Sequence, residues 1–226
     1  MDFSIILPAY NEADNLPLLL GNLKEDLDKL QIKYEIIVVD NGSLDNTVEV
    51  LNSLKAEISS LRVAKCPEKG FGGCVLWGLA AAEGEVLGFM DADRQIAPEY
   101  LVEIYQKLKS GNLDFCKAVR VSRNDGLARA VISRVYNFIF SLMFGVNAQD
   151  INGKPKIFTR ELYDKINLIS KDWFLDAEIM IKIGRANCAR GEVPISFLAR
   201  KGGASGIHPL TVFEFAKNMI YWRFKI

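Results

Sequence analysis

Residues 87–101, LGFMDADRQIAPEYL, join a buried strand to a helix through a turn that carries two carboxylates. The apolar start of this stretch predicts a strand, and the residues from Pro98 onward begin a helical pattern. Between the two elements, Asp91 and Asp93 stand one residue apart. Two acids at the end of a buried strand cost free energy through desolvation and mutual repulsion. They therefore either bind a cation or cap the helix that follows.

The same order of strand, polar turn and helix recurs through the first half of the chain. Strands are predicted at 3–8, 34–40, 61–65, 85–91 and 113–120, and helices at 15–30, 45–58, 72–84 and 98–111. This alternation predicts an α/β fold, a mostly parallel sheet covered by helices on both faces. Such sheets bind ligands beyond the carboxyl ends of their strands. The polar turns lie at those ends, at 8–12, 40–43, 69–73 and 91–95.

Length and composition set the class of protein. We expect one domain over residues 1–226. The 28 basic and 28 acidic residues balance, so no overall field attracts nucleic acid. Four cysteines without a C-x-x-C pair and a single histidine predict reduced thiols in a cytoplasmic protein and argue against zinc. We expect neither a signal peptide nor a spanning helix, which needs about 18 consecutive apolar residues.

Residues 127–144, LARAVISRVYNFIFSLMF, predict a helix of a different kind. Its polar side chains form a single stripe, and the remaining face is wide and apolar. The stripe consists of Arg129, Ser133, Arg134, Asn137 and Ser141. Two interpretations stay open: a core helix with a solvated edge, or a helix in a bilayer surface with arginines facing phosphates. The C-terminal stretch 210–226 allows the same two interpretations.

The glycines of 69–78, KGFGGCVLWG, do not form a known nucleotide fingerprint. The spacing lacks the third glycine of G-x-G-x-x-G, and no G-K-[ST] is present. A flexible turn before a helix N-terminus is a plausible cradle for an anion. The alternative is a tight turn in which glycine permits close helix packing.

The pair Asp91 and Asp93 suits a hard divalent cation. In a strand the two side chains project to the same side, with Ala92 leaving room between them. Mg²⁺ or Mn²⁺ prefers such oxygen ligands and often shares them with a diphosphate. Gln95 supplies a neutral oxygen two residues further on.

Five stretches in order resemble family 2 glycosyltransferases, above all the dolichyl-phosphate and polyprenyl-phosphate sugar (mannose) synthases. They are ILPAYNE at 6–12, IVVDNGSLDNT at 37–47, residues 69–101, DINGKPKIF at 150–158 and WFLDAEIMIKI at 173–183. The resemblance extends over nearly the whole chain. It implies the glycosyltransferase A fold, with a nucleotide-sugar-binding half at 1–120 and an acceptor-binding half with membrane-surface helices at 121–226.

The resemblance also implies a donor site for a GDP- or UDP-linked sugar. The nucleotide-binding positions are Pro8, Tyr10, Glu12, Asp40, Lys69, Gly70, Asp91 and Ala92. The metal, Mg²⁺ or Mn²⁺, is assigned to Asp91, Asp93 and Gln95. Arg200, with Ser205 nearby, matches the late arginine and serine that close over the diphosphate, and Asp93, Arg200 and Asp176 are the catalytic candidates.

For the acceptor, the resemblance implies a polyprenyl (dolichyl or undecaprenyl) phosphate. A phosphate oxygen is already deprotonated near pH 7 and attacks the anomeric carbon, with inversion, without a general base. Arg120, Arg129 and Ser133 match the positions that hold this phosphate. We therefore expect a hexosyltransferase peripheral to the inner, cytoplasmic membrane face, as a possible homo-oligomer or with a separate membrane subunit.

Three departures keep alternatives open. Asn41 stands where many relatives carry a second acid. Lys154 and Lys156 stand where relatives usually carry an arginine. Asp176 and Glu178 occupy the place where other branches carry a general base, and otherwise orient loops or the donor sugar. One alternative is therefore transfer to a sugar hydroxyl of a growing glycan with Asp176 as base. A second is a nucleotide-sugar-binding protein without turnover.

Overall fold

A seven-stranded sheet forms the centre of the protein. The computed structural model describes residues 1–122, 127–146, 150–196 and 217–224, apart from the side chains of 122–134. The strands run in the order β3-β2-β1-β4-β6-β5-β7. Their bounds are β1 Phe3–Ala9, β2 Tyr34–Asp40, β3 Leu61–Lys65, β4 Val86–Phe89, β5 Phe115–Ser122, β6 Lys156–Thr159 and β7 Arg190–Ser196.

Helices cover both faces of this sheet. Their bounds are α1 Leu16–Asp28, α2 Thr47–Glu57, α3 Phe71–Ala81, α4 Glu99–Ser110, α5 Leu127–Phe144, α6 Arg160–Ile166 and α7 Leu175–Arg185. Residues 217–224 are also helical. Helix α4 illustrates why the elements begin and end where they do, since Pro98 precedes its first residue and Gly111 follows its last. The predicted α/β fold is confirmed, and α5 has the predicted bounds.

Strand β6 is the one antiparallel member of the described sheet. It pairs antiparallel with both β4 and β5, whereas the other neighbouring pairs are parallel. The carboxyl ends of the parallel strands therefore share one edge with the amino end of β6. The residues just before β6, including Lys154, consequently lie at the edge that holds Asp91.

Two apolar clusters fill the space between the sheet and its helices. Along β1, Phe3, Ile5 and Leu7 belong to one cluster and Ile6 to the other, as strand alternation requires. The first cluster includes buried residues of α1, α2 and α4. The second includes residues of α3, α5, α6, α7 and 217–224. The elements on this second side line the candidate site.

Helix α5 exposes an apolar face in its described half. Phe140 and Phe144 are buried in the second cluster. Val135, Phe138, Ile139 and Leu142 follow at spacings of three and four residues and are exposed, with Phe138 at 69% and Leu142 at 77%. Of the two interpretations left open by the sequence, a core helix with a solvated polar edge does not describe this half, because apolar side chains are exposed. Within the described residues, no helix combines the length and apolarity that crossing a membrane requires.

The N-terminus of α3 packs directly on the backbone of the segment before α7. A Cβ atom on Gly72 would lie 2.4 Å from the carbonyl oxygen of Ser170 and 2.6 Å from that of Asp172. Both distances are shorter than a carbon can approach a backbone oxygen without displacing it. Glycine is therefore required here for packing, which is the second of the two interpretations of this turn.

We predict opposite effects for two Gly→Ala substitutions. Gly72→Ala should lower the free energy of unfolding by roughly 2–3 kcal/mol, because the methyl group meets backbone atoms. Gly21→Ala, inside α1 with open space around its Cα, should raise it by about 0.5–1 kcal/mol. Urea unfolding followed by circular dichroism measures both. Equal stability of the two variants would contradict the packing role of Gly72.

Candidate active site

The turns after β1 and β2 are tied together by side chains of both. The amide of Asn11 donates to Ser43 Oγ at 3.0 Å, and Asn11 Oδ1 accepts from the amide of Leu44 at 2.8 Å. The amide of Glu12 donates to Thr47 Oγ1 at 2.9 Å. These bonds hold the predicted nucleoside-contacting turn in one conformation. Tyr10 stands exposed on it, and Pro8 and Glu12 are half-buried.

Asp40 and Asn41 shape the next turn. The buried Asp40 carboxylate accepts from the amides of Gly42 at 3.2 Å and Ser43 at 3.1 Å. Asn41 Oδ1 accepts from the amide of Gly70 at 2.9 Å, which links the end of β2 to the glycine turn. The exposed Lys69 side chain lies against Gly42. The Asn41 departure from the usual acid thus has a structural use.

The glycine turn faces protein rather than an open cradle. The amide of Gly73 donates to the carbonyl oxygen of Lys171 at 2.8 Å. The Phe71 ring stacks on that of Trp173, with centroids 4.6 Å apart. Part of the α3 N-terminus is therefore occupied by the segment before α7, which supports close packing over anion binding at this turn.

The aspartate pair lies beyond the strand rather than within it. Strand β4 ends at Phe89, so the alternation that would place Asp91 and Asp93 on one side does not reach them. Asp93 Oδ1 accepts from the amide of Gln95 at 3.1 Å. Helix α4 begins only at Glu99 and has no side-chain cap, so Asp93 does not cap it. Ala92 between the aspartates is buried in the apolar core.

Lys154 is the direct partner of Asp91. Its ammonium lies 2.9 Å from Asp91 Oδ1 and 3.1 Å from Oδ2, and 3.5 Å from Asp176 Oδ2. It also lies over the Phe71 ring, 4.3 Å from the centroid. Burial alone would lower the pKa of Lys154, but the charges of Asp176 and Asp91 outweigh it and raise the pKa. Lys154 is therefore a charged ammonium at this site.

Asp176, at the start of α7, is buried between two lysines. Lys156, which is completely buried, forms an ion pair with its Oδ1, and Lys154 faces its Oδ2. Burial would raise the pKa of Asp176, but the two ammonium groups outweigh it and lower the pKa. For Lys156, burial dominates and lowers the pKa to about 8. A carboxylate held in this way is a weak base.

Arg120, at the site end of β5, is fixed by Asp150. Its Nε donates to Asp150 Oδ2 at 2.7 Å, and its Nη2 bonds Oδ1. Burial opposes ionisation of both groups, but the ion pair outweighs it, raising the pKa of Arg120 and lowering that of Asp150 to about 2. Beside them, the buried Lys117 donates to the carbonyl oxygen of Asp150 at 3.1 Å and lies 3.3 Å from Glu192 Oε1.

Glu178 orients a loop, which is one of the roles predicted for it beside that of a general base. Its buried carboxylate accepts from the amides of Ile169 at 2.9 Å and Ser170 at 2.7 Å. Lys182, one turn later on α7, lies 2.7 Å from it. Since Ser170 begins the segment that packs on Gly72, Glu178 connects α7 to the N-terminus of α3.

Some predicted residues cannot be placed among these groups. Arg200 and Ser205 lie outside the described residues. Arg129 and Ser133 lie on α5, but their side chains are outside the description. The remaining candidates gather at the carboxyl edge of the parallel strands. These are Pro8, Tyr10, Glu12, Asp40, Lys69, Gly70, Asp91, Ala92, Asp93, Gln95, Arg120 and Asp176.

The family model of glycosyl transferase family 2 matches residues 4–167. The chain belongs to this family. A curated member, the undecaprenyl-phosphate 4-deoxy-4-formamido-L-arabinose transferase of Pseudomonas fluorescens, is 27% identical over 221 residues. That alignment covers 96% of this chain and 63% of the relative, so the chain spans less than two thirds of the relative's length.

Solved structures of two similar proteins share the fold. One is glucosyl-3-phosphoglycerate synthase from Mycobacterium tuberculosis with Mn²⁺, UDP and phosphoglyceric acid, at a TM-score of 0.72 and 20% identity, covering 98% of this chain and 78% of that one. The other is mannosyltransferase PcManGT from Pyrobaculum calidifontis with GDP-Man and Mn²⁺, at 0.67 and 22%, covering 96% and 64%. The glycosyltransferase A fold expected from the sequence is confirmed.

The sequence interpretation of this family 2 member missed the lysine pairs. It noted Lys154 and Lys156 as departures in a loop, whereas Lys156 begins β6 and both lysines contact site carboxylates. The one signal was that two lysines flank Pro155 immediately before the apolar residues Ile157 and Phe158. The partners of these lysines, Asp91 and Asp176, lie far away in the sequence, so the spacing of the lysines alone did not identify them.

We predict that Asp150→Asn destabilises the protein in a pH-dependent way. The folded pKa of about 2 lies below the unfolded value of 3.8, so the stabilisation is complete above pH 3.8 and is lost as the pH falls toward 2. At pH 7 the loss should be roughly 2–4 kcal/mol, since Arg120 also loses its buried partner. As the pH falls from 3.8 toward 2, the difference from wild type should shrink. Urea titrations from pH 7 to pH 2 measure it.

The matched control for this prediction is Asp164→Asn, which alters an exposed carboxylate on α6. It should stay within about 0.5 kcal/mol of wild type at every pH, as surface substitutions do. An Asp150→Asn deficit that is independent of pH would contradict the ion pair as its cause.

Proposed function

We propose that this protein is a glycosyltransferase that moves a sugar from a GDP- or UDP-linked donor to a polyprenyl phosphate. Family membership supports the reaction class. The name of the Pseudomonas relative supports a lipid phosphate acceptor, and the ligands of the two solved structures support a nucleoside-diphosphate donor.

The state of Asp176 carries the proposal for the acceptor. A hydroxyl acceptor needs a base to remove its proton, and Asp176 is the residue that the family pattern offers. Its carboxylate is buried and paired with Lys154 and Lys156, which lower its pKa. A phosphate acceptor arrives deprotonated and needs no such base. The site therefore suits a phosphate nucleophile better than a glycan hydroxyl.

Positioning and charge are then the means of catalysis. Arg120, which Asp150 orients at the end of β5, is proposed to hold the acceptor phosphate, with Arg129 and Ser133 of α5 as its proposed companions. Attack from the acceptor side inverts the anomeric centre. Arg200 is proposed to stabilise the departing diphosphate.

On the donor side, the linked turns after β1 and β2 supply the nucleotide site. Tyr10 offers an exposed ring, and Lys69 a solvated ammonium beside Gly42. Pro8, Glu12, Asp40 and Gly70 form the walls of this proposed site. Because hydrogen bonds already fix Asp40, its role is to hold the turn against the ribose or base.

A divalent cation fits the donor set of the aspartate turn. Carboxylates of Asp91 and Asp93 and the amide oxygen of Gln95 are the hard ligands that Mg²⁺ and Mn²⁺ prefer. Both solved structures contain Mn²⁺. When bound, such an ion would neutralise charge on the diphosphate. Among the described residues, no three acidic, histidine or cysteine side chains lie together as metal ligands, so the proposed ion would take its remaining ligands from the diphosphate and water.

The acceptor's lipid chain requires a membrane surface, and two helical segments offer one. The exposed face of α5 carries Phe138 and Leu142, and residues 217–224 expose Ile220 and, at 85%, Phe224. Lys217 and Arg223 are exposed beside them and suit anionic headgroups. We therefore place the protein peripherally at a bilayer surface.

The decisive experiment compares acceptors of one chain length. With labelled UDP- and GDP-sugars and Mn²⁺, we expect a lipid product from a short polyprenyl phosphate and none from the matching polyprenol. Omitting Mn²⁺ and adding EDTA should reduce the rate at least about tenfold. Transfer to an oligosaccharide hydroxyl but not to the lipid phosphate would support the glycan alternative, and donor binding without turnover would support the binding protein.

Membrane contact makes a separate prediction. The double variant Phe138→Ser/Leu142→Ser should float with anionic vesicles at least about fivefold less than wild type, because each change removes apolar area from the bilayer. Leu18→Ser, on the exposed side of α1, is the matched control and should float like wild type. If the double variant floats equally well, α5 is not the contact surface.

A further inference from the structure

The sheet register brings Lys154 to Asp91. Phe89 on β4 pairs with Lys156 on β6 in an antiparallel ladder. Two residues further along each chain, in opposite directions, stand Asp91 and Lys154. The paired ladder ends at Phe89 and Lys156, and the Lys154 ammonium meets Asp91 just beyond it, at 2.9 Å from Oδ1 and 3.1 Å from Oδ2. The ladder therefore brings the two segments together, and the side chains complete the contact.

The ammonium of Lys154 is also enclosed. Its side chain is only 7% exposed, with the Phe71 ring on one side and the Asp176 carboxylate 3.5 Å away on another. A buried ammonium that lost Asp91 would keep only part of its compensation, so the contact resists opening. Both oxygens of Asp91, the first acid of the proposed metal-binding pair, thus face a resident cation.

We infer that Lys154 is a built-in counter-cation of the aspartate turn that lowers the affinity of this turn for a divalent metal. A metal ion at Asp91 and Asp93 must either displace the ammonium from Asp91 or bind close to its positive charge. Both routes make the free energy of metal binding less favourable than it would be at the same turn without Lys154. Lys154 thereby acts as a positioning residue. The metal would bind tightly only together with the donor, whose diphosphate would supply further oxygen ligands.

This inference rests on the proposed function only in assigning a divalent cation to the aspartate turn. Its test uses metal binding without donor or acceptor, measured from the electron paramagnetic resonance signal of free Mn²⁺ during titration of the whole chain. Lys154→Gln should bind Mn²⁺ at least about tenfold more tightly than wild type, since repulsion between nearby cations is relieved. Mn²⁺ should also raise the melting temperature of this variant more than that of wild type.

A double-mutant cycle assigns the gain to Asp91. In the wild-type background, Asp91→Asn should change Mn²⁺ affinity less than about threefold, because Lys154 already neutralises this carboxylate. In the Lys154→Gln background, the same substitution should abolish most of the gain. Lys55→Gln removes an equal charge from the exposed face of α2 and should leave the affinity unchanged.

Three results would overturn the inference. They are an affinity of Lys154→Gln equal to or weaker than wild type, a gain that survives Asp91→Asn, and an equal gain in Lys55→Gln. Should Lys154→Gln fail to fold, Lys154→Met serves in the same titration, since its apolar chain packs on Phe71. If the Mn²⁺ affinities are as expected but no sugar is transferred, the proposed function is rejected and this inference stands. If sugar is transferred but the Mn²⁺ affinities do not change as expected, this inference is rejected and the proposed function stands.

Discussion

The antiparallel insertion of β6 between β4 and β5 is the constraint on which the site depends. Lys156 shares a sheet face with Phe158, which packs in the cluster that includes α7, whereas Ile157 packs in the opposite cluster. A slip of one residue would turn the lysine into that opposite apolar cluster, away from Asp176. The observed register is thus the one that pairs the buried Lys156 with Asp176, and it brings the segment of Lys154 to the turn of Asp91. Specifying register is the best-attested use of buried charge.

Different interactions hold the two sides of the site. On the side of β1 and β2, short polar side chains such as Asn11, Ser43 and Asn41 bond to backbone amides of neighbouring turns. On the side of β5 and β6, fully ionised groups pair in the interior, as Arg120 does with Asp150. The first arrangement keeps an open edge for a ligand. The second restricts the side chains of the ion pairs, so that their charges have fixed positions in the site.

The sequence predicted those elements whose pattern is local. The apolar periodicity of α5 placed its bounds, and strands β1 to β3 followed from apolar runs beside turn residues. Strands β6 and β7 were missed, because β6 has four residues next to Pro155 and β7 contains Gly191 and Pro194. The contact of Lys154 with Asp91 spans 63 residues and depends on β6 lying beside β4 in the sheet. Local periodicity contains no information about which strands become neighbours.

Charge balance links this architecture to the proposed chemistry. The ion pairs on the β5 and β6 side of the site join four cations to four acids. The cations are Lys117, Arg120, Lys154 and Lys156, and the acids are Asp91, Asp150, Asp176 and Glu192. Asp93 then adds one further acid at the turn. With Asp93, five acids stand against four cations, so a nucleoside diphosphate and a lipid phosphate would enter a region whose described charges provide no excess of positive charge. Their own charge requires additional cations, which the proposal assigns to a divalent metal and to Arg129 and Arg200. The paired groups of such a site stay satisfied when no ligand is bound, and these additional cations join Arg120 and Lys69 in attracting phosphate.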